Sequence, residues 1–174
     1  MALSMYQASV PVFQRMLANL EGVLEKAEAY AGAKKIDPSI FLNARLSPDM
    51  FPLSRQVQLA SDFAKGAAAR LAGMEIPKYE DSEKTFAELR ARLTKTQDFL
   101  KGVKPAQIDG SEGRDINLTI AQQPATLSGQ NFLLNYALPH FFFHVTTAYG
   151  LLRSQGVEIG KRDYMGSFDG LKKK

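Results

Sequence analysis

The sequence predicts an all-α protein, a four-helix bundle with a small β-hairpin inserted before the last helix. Two observations carry this. Four long segments place apolar residues three and four apart, the period of a helix with one buried face. Between the third and fourth of them lies the one stretch, Asp109 to Ser128, whose pattern changes to period two. Four amphipathic helices close most economically around one core.

The first helix is expected over Ser4 to Ala31, where Val12, Met16, Leu17, Leu20, Val23, Leu24 and Ala27 form the apolar stripe. Pro11 either kinks it or marks its true first turn after a cap at Ser9. Gly32 to Phe51, with Asp37-Pro38 and Ser47-Pro48, reads mostly as connector. The second helix runs from about Leu53 to Leu71 on Leu53, Val57, Ala60, Ala64, Ala67 and Leu71, a seam whose small residues permit close helix contact. Gly73 ends it and Pro77 prevents its resumption. The third is expected from near Ser82 to Lys101, on Phe86, Leu89, Leu93, Thr96 or Gln97, and Leu100.

Asp115 to Ile120 and Ala125 to Leu127 read as the two strands of the hairpin. A lone hairpin is marginal, so it must pack on the helices or pair with another chain. The fourth helix spans Gly129 to about Ser154, bent or broken at Pro139 and stopped by Gly156. The remainder is rich in glycine. Its Val157, Ile159, Tyr164, Met165 and Phe168 predict that it wraps back along the bundle. The connector after the first helix and the insertion before the last are long, so this is not a minimal up-down bundle.

With 174 residues, 45% hydrophobic and 23% charged, the chain is expected to form a single domain over residues 1–174. Three of its 22 basic residues are Lys172, Lys173 and Lys174, and without them the charge is nearly balanced. Neither a nucleic-acid partner nor a membrane role is expected. There is no cysteine, no secretory signal pattern and no apolar run of membrane-spanning length, so the natural expectation is the cytoplasm.

Chemistry concentrates at the only two histidines, His140 and His144, in the run Pro139-His140-Phe141-Phe142-Phe143-His144. On a helix both imidazoles lie on one face a turn apart, able to offer two nitrogens to one metal ion. Phe141 stands where the metalloprotease pattern places its glutamate, so peptide hydrolysis by that route is not supported. The other arrangement open to the pair is structural, one ring hydrogen-bonded to a neighbouring helix and the other half-exposed near Pro139. One histidine could also serve as a general base. Three successive phenylalanines point around most of the helix, which implies burial on several sides or a face for a second subunit. Arg45 and Asp49 read as a pair fixing the loop over one bundle end, or as a substrate clamp. Asn43 reads as a turn residue.

The blocks from Leu42 to Leu53 (LNARLSPDMFPL), Thr85 to Leu89 and Phe143 to Tyr149, with Leu152-Arg153 and Gly156-Val157, resemble an uncharacterised bacterial family. That family is assigned to the DinB/YfiT-like superfamily of four-helix bundles. The resemblance covers nearly the whole chain. It implies a metal-dependent hydrolase or transferase, with a divalent metal held by one histidine of the second helix and two, four residues apart, on the last. His140 and His144 match the last-helix pair. The second helix has no histidine, and Gln56, Gln58 and Asp62 are the nearby polar candidates, with Asp62 or Gln56 as the third ligand. Two imidazoles and a carboxylate suit zinc or nickel. The competing class is a non-enzymatic binding or stress-associated bundle with a vestigial metal pocket. A homodimer and an unidentified small molecule are the expected partners.

Overall fold

In the computed structural model, which describes residues 3–167, four long helices form the frame: α1 (Val10–Lys34), α3 (Leu53–Ala72), α4 (Phe86–Gly102) and α7 (Leu138–Ser154). Between them lie the short helices α2 (Pro38–Leu42) and α5 (Pro105–Ile108), the antiparallel strands β1 (Asp115–Ile120) and β2 (Gln123–Ser128), the single turn α6 (Gly129–Phe132) and a π-helical segment (Leu133–Ala137); α8 (Lys161–Met165) follows. The frame is a ring in which α3 lies between α4 and α7, and α1 closes it between the same two. Successive helices α1 and α3 are therefore diagonal, as are α4 and α7. Each diagonal needs a long crossing, which is why these two connections are long.

Pro11 marks a first turn rather than a kink, since α1 begins at Val10 with Ser9 at its cap. Val10 and Phe13, not Val12, are the fully buried residues of that turn. The connector carries α2, which Asp37 caps by accepting from the Ser39 amide at 2.8 Å. The third long helix starts at Phe86, four residues later than the sequence reading, because Thr85 and Glu88 make a reciprocal capping box. Thr96 is the buried member of its stripe and its hydroxyl bonds Ser61 of α3 at 2.7 Å, while Gln97 reaches Glu21 of α1.

The core draws on all four helices, with Phe13 of α1 meeting Phe141 of α7 edge-to-face at 4.9 Å. Ala60, Ala64, Ala67 and Ala68 are buried on α3 and let its neighbours approach closely. The hairpin turn is Ala121-Gln122, both at positive φ. Gly129, which starts the last helical run, lies so close to the Ser111 carbonyl that a Cβ would fall on that oxygen. The bend expected at Pro139 is the π-helical segment before it. Proline has no N–H to give and its ring crowds the carbonyl four residues back, so the backbone widens ahead of it.

After Gly156, at φ 88°, the chain returns along α1. Val157 and Ile159 are buried, Lys26 pairs with Asp163 at 2.6 Å, and Thr146 and Tyr164 share a hydroxyl–hydroxyl bond. The tail thus wraps back as expected but carries a helix, α8. Phe168 lies outside the described residues.

Candidate functional site

His140 and His144 sit on α7 facing α3, and α3 meets them with Gln56, Leu59 and Phe63. Gln56 is buried and bonded at both ends of its amide. Its Nε2 donates to the Phe51 carbonyl at 3.1 Å, which turns its Oε1 to the Nδ1 of His144 at 2.8 Å. A carboxamide oxygen only accepts, so Nδ1 of His144 carries the proton and Nε2 the lone pair.

His144 is 7% exposed. Burial, then the neighbouring charges of His140 and Arg55, push its pKa down to about 4. Burial also lowers that of half-buried His140. Both rings lie against Phe63, His140 stacked at 4.5 Å and His144 at 5.5 Å, and Tyr136 of the π-helical segment closes on His140 at 4.5 Å. Beside the pair opens a cavity of about 620 Å³ with largely apolar walls, formed by Phe51, Leu59, Phe63, Pro139 and Phe143. Its polar groups are the two neutral imidazoles and the Asn135 amide.

Gln56 is therefore brought to the histidines, but as the group that orients one of them and not as a metal ligand. Asp62 is not brought to them in any free form. Its carboxylate binds Arg92 at 2.7 Å and Lys65 at 2.8 Å, on the side of α3 that meets α4. Gln58 donates to Glu83 at 2.8 Å. Among the described residues no group of three or more histidine, cysteine, aspartate or glutamate side chains is placed to hold a metal ion. The donors present do not fit the three-ligand site implied by the resemblance, because the place of the second-helix ligand is taken by a spent amide and a phenyl ring.

Arg45 does not pair with Asp49. It donates to the Met50 carbonyl, while Asp49 accepts from Ser47. The loop is fixed, and Asn43 is the turn residue expected, donating to the Ser39 carbonyl at 2.8 Å. Sequence reasoning missed Arg92, whose side chain is 2% exposed and binds Asp62, Asp81 and Glu83. Its signal was its position, three residues after Leu89 on the buried stripe. Phe63 and Tyr136 were also missed, and each needs two elements to meet before it faces a histidine.

The diagonal ring of helices, the bend ahead of Pro139 and the histidine pair on the last helix define a DinB-like bundle. The chain belongs to the family described as a domain of unknown function, DUF1993, whose profile matches residues 5–165. It is similar to the crystal structure of a DinB family member protein from Shewanella denitrificans, at 42% identity and a TM-score of 0.88, covering 97% of this chain and 95% of that one. No curated protein matches it.

Proposed function

We propose that this chain is a non-enzymatic small-molecule-binding bundle in which His140 and His144 form the polar floor of an apolar cavity. The observation that carries this reading is the Gln56 amide. It is satisfied at both ends, fixes the tautomer of His144 and leaves that ring a neutral acceptor at Nε2, beside the neutral ring of His140. Such an acceptor amid Phe51, Phe63 and Phe143 suits an uncharged, largely apolar ligand with one hydrogen-bond donor, and the cavity falls in the usual size range of ligand sites. The hydrolase or transferase activity implied by the family resemblance needs a zinc or nickel centre, for which the described residues supply two imidazoles and no third donor.

We place the protein in the cytoplasm, in keeping with its lack of cysteine, and no helix among the described residues is long and apolar enough to cross a membrane. A homodimer is part of the same reading. Phe143 and Phe51, each 54% exposed, rim the cavity and offer apolar surface to a second copy.

The test is elemental analysis of protein purified without a histidine tag, with zinc and nickel titrations of wild type, His140→Ala and His144→Ala. Binding of the neutral dye Nile red is followed beside it. Metal-free protein that takes up dye, with uptake weakened in Phe143→Asp, is expected. Stoichiometric metal lost in both histidine variants would overturn the reading in favour of a metalloenzyme.

A further inference from the structure

Two arginines on neighbouring helices are half-buried or more, and they differ in what surrounds them. Burial tends to lower the pKa of Arg92, but the hydrogen bond to Glu83 and the charges of Asp62, Glu83 and Asp81 outweigh it and raise the value. Arg70 has no such company. Burial pushes it down, and among the described residues it pairs with no carboxylate; its one protein hydrogen bond is from Nη1 to the Gly66 carbonyl at 3.3 Å. The guanidinium lies back over Gly66, where a Cβ would stand 2.8 Å from Nη1. Glycine at that position is what lets the fork lie there.

Arg70 lines a cavity of about 350 Å³ bounded by α3, β1, α6 and the π-helical segment. The walls include Leu59, Phe63, Leu118 and Phe132, with the side chains of Tyr136 and Thr119 also lining it. Asp62 lies at the other end, eight residues and about 12 Å of helical rise away, with its charge already taken by Arg92 and Lys65. The hairpin, which nothing in the histidine cavity requires, forms one wall.

We propose that this cavity binds a small molecule carrying one carboxylate on an apolar body, with Arg70 as its anchor. The planar fork of an arginine matches a carboxylate with two parallel N–H···O bonds. A single cation in a cavity whose one carboxylate, Asp62, is already paired balances one negative charge, and Leu59, Phe63, Leu118 and Phe132 offer the apolar body a surface. A phosphate dianion would need further donors, which the described walls do not supply as cations. The site is separated from the histidine cavity by Leu59 and Phe63 and does not rest on the reading of that cavity.

The experiment follows backbone amide NMR shifts of the full chain titrated with benzoate, with its neutral isostere benzamide, and with inorganic phosphate. Benzoate is expected to shift the Leu118 and Thr119 amides saturably and to bind about tenfold more tightly than benzamide. Arg70→Met should weaken it by a similar factor. Arg70→Lys, which keeps the charge and loses the fork, should weaken it by less and serves as the readable variant if Arg70→Met does not fold. Gly66→Ala, which displaces the guanidinium, should weaken it too. The proposal is overturned by no saturable shift, by equal binding of benzoate and benzamide, by shifts confined to the histidine cavity, by undiminished affinity in Arg70→Lys and Gly66→Ala, or by phosphate binding more tightly than benzoate.

Discussion

Gln56 sets the chemistry of His144 by what it does with both ends of one amide. Replacing it with leucine keeps the volume roughly but leaves the buried Nδ1–H of His144 without a partner. Buried orphans of this kind cost about 1–3 kcal/mol. Urea unfolding of Gln56→Leu should show that loss, and the imidazole nitrogen NMR signals of His144 should move from one tautomer to a mixture. The pH dependence follows from the lowered pKa. Unfolded, the ring titrates near 6.5, and folded at about 4. Between these values the unfolded chain binds the extra proton, so stability is full above pH 6.5 and falls as pH drops toward 4. The contribution is on the order of 3 kcal/mol. Urea midpoints measured from pH 7 to 4 should fall more steeply for wild type than for His144→Gln; equal slopes would show that the ring is not buried as described. The histidine spacing was legible in the chain, since four residues on any helix share a face. What it faces was not, because Gln56 and His144 are 88 positions apart.

The hairpin shows how local chemistry and fold disagree in one element. Its strands were legible from alternation alone, and the register pairs Asp115 with Ser128 through to Ile120 with Gln123. The turn residues Ala121 and Gln122 are both left-handed, a conformation that asparagine and glycine adopt more cheaply. The double substitution Ala121→Asn/Gln122→Gly should stabilise the protein by about 1 kcal/mol, read as a raised melting temperature and slower amide exchange in both strands. A lowered melting temperature would mean that the turn geometry is set by something other than the hairpin. The same logic explains the start of α4. The helix was expected from near Ser82, yet Thr85 and Glu88 are the pair at capping-box spacing. The π-helical segment was legible only as a bend at Pro139. That the bend would widen the helix and swing Tyr136 onto His140 needed the packing of Phe63 and Phe132 around that ring.

The whole molecule raises the question of association. Phe141 is buried against Phe13, Phe142 is half-buried, and Phe143 points outward, so the phenylalanine run divides into core and rim. Light scattering after size-exclusion chromatography should give a dimer mass for wild type and a monomer for Phe143→Asp; a wild-type monomer would leave the rim as cavity mouth alone. The sequence by itself determined the four long helices, their stop signals, the hairpin and the helix that carries the histidines. These follow from periodicity, glycine and proline, which act within a few residues. Only the tertiary structure decided the diagonal order of the ring and the partners of the polar side chains. Asp62 could have turned to the histidines or to α4, and it turned to α4 because the buried cation Arg92 is there and must be compensated. That left α3 to face His140 and His144 with Gln56 and Phe63, an orienting amide and an aromatic wall, for the physical reason that a buried charge chooses its partner across helices and not along the chain.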